Sequence, residues 1–342
     1  MKRTPWLLVT GFAVACSGAP DPAPAADASP TPADSTPASD AWRAPSGSPV
    51  WLGVGNWGWR GVTRDGVAWT DIQNEPPLDG SDHTDDLLRG AGFGDGTFIA
   101  VGGSTFATIM VSDDGGDSWD ETMHPEFQWL GDVVFADGAW VAGGANGERL
   151  ASDDGIDWQQ TGTWYEGHWR SLAYGNGLVV AVGNAYDGAA ITAVSSDNGQ
   201  SWTEYAVGGT AFSSVAFGDG RFVTISGGAQ RCAVSSDGAA WSDCGIVVEQ
   251  FTGVSVIDGD ILVSYTDTPW PAGGYAMFGS DGQLTKHPVD RFPSKVAHAD
   301  GIYVGIPNSQ RLYGDQVDQW TESDDRGGFR DFVVGFLPDA SE

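Results

Sequence analysis

The sequence predicts an all-β protein, a seven-bladed β-propeller of four-stranded antiparallel blades, and three observations predict it. A short Asp-Gly or Asn-Gly turn recurs at Asp95, Asp137, Asn176, Asp219, Asp258 and Asp300, in steps of 42, 39, 43, 39 and 42 residues, inside the spacing of about 40–50 that marks propeller blades. A second ladder runs half a blade out of phase. It comprises Asp65-Gly66 with Trp69, then the stretches 112–119, 152–158, 195–202 and 235–241, each from Ser to Trp, with weaker copies at Ser280-Asp281-Gly282 and Gly314 to Trp320. Third, the array begins and ends in mid-blade, as a ring closed by its own two ends would.

In chain order, Met1 to Cys16 reads as an export signal: Lys2 and Arg3, an apolar run, then Ala13-Val14-Ala15-Cys16. That tetrad resembles a bacterial lipobox. The resemblance implies lipidation of Cys16 and, with Ser17 next to it, an outer-membrane destination. Residues 17–48 are almost entirely Ala, Pro, Ser, Asp and Thr, too poor in apolar surface to offset the entropy of ordering, and are expected to form an extended tether.

The propeller is expected over 49–338, with a tail at 339–342. Val50 to Gly55 aligns with Phe98 to Gly103, a second strand, so the first blade lacks its innermost strand. Phe329 to Val334 has the first-strand pattern with nothing after it, and supplies the missing strand. The box-to-box step between Trp69 and Trp119 is longer than the others, which puts an acidic insertion at 70–86 with Glu75, Asp79, Asp82, His83, Asp85 and Asp86. A carboxylate-and-His cluster could hold a divalent cation, but its spacing matches no cation loop, so an acidic surface loop is the favoured expectation, with no metal or cofactor assigned.

The unit repeats most clearly over 213–241. Ser214 to Phe217 reads as a strand and Asp219-Gly220 as a hairpin turn. Arg221 to Ile225 is a second strand, Gly227-Gly228 a break, Cys232 to Ser235 a third strand, and a fourth opens at Trp241. Cys232 and Cys244 stand equidistant from Gly238 on the two arms of one hairpin. Directly opposed residues lie about 4.5–5.5 Å apart, so a disulfide is expected there.

Two of the boxes, 112–119 and 195–202, have the form Ser-x-Asp-x-Gly-x-Ser-Trp, which resembles the Asp-box, or BNR repeat, of sialidases and related propellers. The seven-bladed arrangement is also similar to the photosystem II assembly factor family and, one propeller at a time, to xyloglucan-specific endoglucanases. The resemblance implies that the boxes lie on the rim away from the functional face. Locally, a short Asp or Ser side chain accepts amides of its own turn, Gly supplies positive φ, and Trp covers the junction.

Chemistry is then expected on the other face, where loops between second and third strands and between blades gather around the channel. The candidate ligand-binding residues are Trp57, Trp59, Trp129, Trp164, Tyr165 and Trp169, with Arg89, Arg170 and Arg330. Each Arg opens a first strand, six residues ahead of the turn position. They are similar to the arginine cluster by which sialidases hold a carboxylate. The Arg-Ile-Pro motif of that family is absent, and carboxylates such as Asp132 and Asp331 offer the arginines structural partners instead. With 46 acids against 16 bases and a formal charge of −30, the chain is a poor partner for nucleic acid or anionic lipid surfaces, since phosphate contacts need Lys and Arg. The favoured expectation is a monomeric, envelope-anchored, non-catalytic binding or scaffold module for protein or glycan ligands, touching the membrane through its lipid anchor only. The alternative is a sialidase-like or other glycoside hydrolase, whose carboxylate pair the sequence cannot select.

Overall fold

The computed structural model describes residues 47–72, 87–163, 167–269, 271–279, 281–306, 310–323 and 329–338. They form seven four-stranded antiparallel sheets arranged as a propeller. Blade 1 combines Phe329–Leu337 with Ser48–Gly55, Arg60–Thr63 and Thr70–Ile72. Blades 2 to 7 follow in chain order, their innermost strands being Leu88–Gly94, Leu130–Ala136, Gly167–Gly175, Ser214–Gly218, Gln250–Ile257 and Lys295–Ala299. The mid-blade start is therefore resolved as the sequence predicts. The C-terminal strand pairs with the first over its whole length, from Ser48 opposite Leu337 to Gly55 opposite Phe329.

The turn ladder has one cause. Asp95, Asp137, Asn176, Asp219, Asp258 and Asp300 all take φ between 46° and 52°, and the glycine after each is also positive. That is the two-residue hairpin whose twist matches the flanking strands, and Asp and Asn are the side chains that best tolerate it.

The second ladder closes each blade on its neighbour. In the turn at 195–202, Ser195 Oγ donates to Asp197 Oδ1 at 2.7 Å and accepts Gly199 N at 2.8 Å, while Trp202 Nε1 donates to Gly199 O at 2.9 Å. Asp197 also takes the amide of Ser201. The same pattern repeats at Ser112, Ser152 and Ser235. At Gly155 the reason for glycine is doubled: φ is +76°, and a Cβ would lie 2.4 Å from Ile99 of the preceding blade.

The core is a set of layers between adjacent blades rather than one centre. Ile99 and Val101 of blade 2, for example, pack with Val133, Trp140 and Ala142 of blade 3. Each such side chain contributes roughly 1.5–3 kcal/mol by leaving water. Cys232 and Cys244 are bonded, with Cα atoms 5.4 Å apart. Cys16, residues 17–46 of the expected tether, Trp164, Tyr165, the acidic loop 75–86 and the tail 339–342 lie outside the described residues, while Ser48, expected to close the tether, already opens the first strand.

Candidate functional site

The site is built from β-bulges. In five inner strands the register against the second strand skips one residue: between Leu88 and Gly90, Leu130 and Asp132, Trp169 and Ser171, Phe251 and Gly253, and Phe329 and Asp331. A bulge leaves its extra residue out of the ladder and re-aims the side chain. The skipped residues are Arg89, Gly131, Arg170, Thr252 and Arg330, all at the same level of the ring. Three of the five bulges thus deliver an arginine to the mouth of the axial channel. Gly131 cannot be a fourth, because a Cβ there would lie 2.5 Å from the Trp169 carbonyl oxygen.

The three arginines line one cavity of about 340 Å³ together with Trp129, Ser294 and Lys295. Each is held by its Nε alone. Arg89 Nε donates to Gly103 O at 3.2 Å, Arg170 Nε to Asn184 Oδ1 at 2.9 Å, and Arg330 Nε to Asn56 Oδ1 at 2.6 Å. Among the described residues no carboxylate pairs with any of the three, and their η nitrogens have no protein partner. The guanidinium of Arg89 lies 4.3 Å from the centre of the Trp129 ring, and that of Arg170 lies 5.7 Å from it, so one indole braces two like charges. Burial, then the neighbouring Arg330 and Arg170, pulls Arg89 down to about 10. Arg89 still remains cationic at neutral pH.

The structural partners anticipated for these arginines are engaged elsewhere. Asp331 takes the ammonium of Lys295 and the amide of Ala91 in blade 2. Asp132 accepts the amides of Leu172 in blade 4 and of its own neighbour Val133, both at 2.8 Å. These two carboxylates and Lys295 form a second level beneath the arginines. Asp132 touches channel solvent yet lies deep in the protein. Burial and the nearby Asp331, opposed by Lys295, push it up to about 7. Burial works against the Lys295 charge, but Asp331 and Asp132 outweigh it and hold its pKa above the ordinary value. The axial channel is therefore a cationic spot in a strongly acidic protein.

The predicted aromatics divide. Trp129 is in the cavity wall. Trp57 stands on the same face at 58% exposure, with φ of +56°, a backbone state that bulky residues rarely take and that clusters at functional sites. Trp59 is half-buried, 5.9 Å from the Phe329 ring. Trp169 corrects the expectation: it is 0% exposed and packs under Arg149 in the layer between blades 3 and 4, because it precedes a bulge and points away from the channel. Sequence reasoning missed Lys295, Thr252 and Ser294, which superposing the repeats by bulge position would have placed beside the arginines. His168 packs between Trp129 and Tyr186 and is held below its ordinary pKa by burial and by Arg170.

The chain matches no protein-family model and no curated protein sequence. Solved structures share its architecture. YCF48 bound to D1 peptide is 16% identical, with a TM-score of 0.51 over 87% of this chain and 95% of that one. YCF48 from Cyanidioschyzon merolae is 13% identical, with a TM-score of 0.55 over 78% and 99%. A candidate 6-phosphogluconolactonase from Bacteroides uniformis is 10% identical, with a TM-score of 0.53 over 84% and 99%. These likenesses are of fold. No residue role passes from those proteins to this one.

Proposed function

We propose that this protein is a non-catalytic binding module whose axial mouth receives an acidic group of a protein ligand. One observation carries the reading: three guanidiniums converge on one cavity and, among the described residues, their η nitrogens have no partner, which is the arrangement that holds a carboxylate bidentately. The presence of a peptide on one propeller of the same fold supports a protein ligand over a free metabolite. Both channel carboxylates are already committed to backbone amides or to Lys295, which favours binding over glycoside hydrolysis, since that chemistry needs an acid and a second carboxylate facing the substrate. In the same reading the Ser-to-Trp turns are Asp-boxes serving stability, and the module is held to a bacterial outer membrane through a lipid on Cys16.

The test is calorimetric titration of the protein with the acetylated, amidated peptide Gly-Gly-Gly-Glu and with its Gln counterpart. The Glu peptide should bind and the Gln peptide should not. Alanine at Arg89, Arg170 or Arg330 should each weaken binding roughly thirtyfold, the cost of about 2 kcal/mol typical of a hot-spot arginine. Asp197→Ala, at a box, should leave binding intact. Equal binding of the two peptides refutes the reading. Turnover of a sialoside or glucan that one acidic substitution abolishes would establish the hydrolase instead.

A further inference from the structure

The ring of bulged residues is lopsided. Arginines occupy blades 1, 2 and 4, whereas the matching positions in blades 6 and 7 are the small Thr252 and Ser294. Over that low side the channel opens into a second, larger cavity of about 900 Å³ on the same face, and Thr252 and Ser294 line both spaces. The second cavity runs outward between blades 6 and 7. Phe292, Leu312 and Tyr265, all buried, line it together with Trp320. Phe292 and Trp320 meet edge to face with centroids 5.8 Å apart.

We infer that this radial groove is a second subsite of the same binding site, taking an aromatic side chain of a linear peptide whose acidic residue sits among the arginines. The inference rests on the acidic-group reading of the mouth and extends it. A ligand anchored by a carboxylate has to leave the channel. Arg89, Arg170 and Arg330 crowd the opposite arc, so the route over Thr252 and Ser294 is the open one. An apolar bed with an edge-to-face aromatic pair suits another ring. Together the two cavities reach the size of a substantial ligand pocket. Their chemistry differs from one end to the other, cationic at the axis and aromatic at the periphery, so the ligand they fit carries an acidic and an aromatic residue a short distance apart.

The experiment uses the whole protein and acetylated, amidated tetrapeptides in which Trp stands one, two or three residues before a terminal Glu, compared with Gly-Gly-Gly-Glu. At least one Trp peptide should bind about tenfold tighter than the glycine peptide. Thr252→Trp, which blocks the passage, should erase that gain, so that in this variant the best Trp peptide binds no tighter than Gly-Gly-Gly-Glu, and Thr252→Ala should keep it. Both variants are compared with wild type by near-ultraviolet circular dichroism, so that misfolding is seen directly. If the glycine peptide binds and no Trp peptide does better, or the gain survives Thr252→Trp, the groove is wrong while the mouth stands. If no peptide binds at all, both fail together. A galacturonate trimer that binds more tightly than the Trp peptides and loses that affinity in Thr252→Trp would reassign the groove to sugar and overturn the peptide assignment.

Discussion

Asp132 shows how a single position carries both architecture and electrostatics. Its two oxygens tie the inner strand of blade 3 to that of blade 4, and its depth holds a proton on it up to about pH 7. An unfolded chain releases that proton near 4. Between those values the folded state binds more protons than the unfolded one, so this group lowers stability as pH rises through the window. In Asp132→Asn that decline is absent. Denaturant unfolding at about pH 5 and about pH 8 should therefore show the variant gaining on the wild type as pH rises; a pH-independent difference would count against the raised ionisation. The box carboxylates behave in the opposite sense. Hydrogen bonds led by that from Ser118 Oγ hold Asp114 down to about 2, so its contribution is complete at neutral pH and is lost only in strong acid. The sequence marks only one of these two kinds of aspartate. The boxes announce themselves by local spacing, whereas the state of Asp132 depends on Asp331 and Lys295, which reach it only when the ring closes.

At the level of strands and blades, the propeller uses a second set of arginines that sequence reading did not single out. Arg311, at the start of the third strand of blade 7, is fully buried and donates from Nη2 to both carboxylate oxygens of Asp71 of blade 1, at 2.8 and 2.9 Å, with its guanidinium over the rings of Trp69 and Phe329. Arg149 of blade 3 likewise donates from Nη2 to one oxygen of Glu204 of blade 4 at 2.6 Å, with its guanidinium over Trp202. Each is a latch from one blade to the box tryptophan of the next. Alanine at Arg311 strips a buried pair of its cation and should cost about 2–4 kcal/mol. Alanine at Arg330, whose head lies in the mouth, should stay within about 0.5 kcal/mol of wild type. Chemical denaturation of the two variants separates the roles, and equal losses would show that the mouth arginines are structural after all. The strands and turns of all seven blades were legible because period and turn chemistry are local. Which Arg is a latch and which opens into the channel mouth was not, since both kinds open strands. The difference is a one-residue bulge, visible only once neighbouring strands are paired. Trp169 was misjudged for the same reason: it stands next to the bulged Arg170 in sequence and on the opposite side of the strand in space.

For the molecule as a whole, closure of the ring is the feature on which the rest depends. Phe329 packs against Trp59 and Trp69, and Asp331 reaches across to the amide of Ala91 in blade 2, so the last strand joins blades 1, 2 and 7 at once. Deleting 329–342 should collapse the soluble yield and remove the cooperative thermal transition, because it exposes two sheet edges and removes the Lys295 counterion. A truncated protein that still melts near the wild-type temperature would show that closure lies elsewhere. By comparison, the disulfide spans only 12 residues and contributes about 3 kcal/mol at most. Closure by pairing the two ends has a further result. Ser48 stands opposite Leu337 on the side of the Asp-Gly turns, and the arginines open on the other side. The propeller thus begins and ends at one pole, and the arginine mouth opens at the other. Under the proposed binding role, a support joined directly beside Ser48 or Leu337 would leave that mouth pointing away from it, free to meet a large partner.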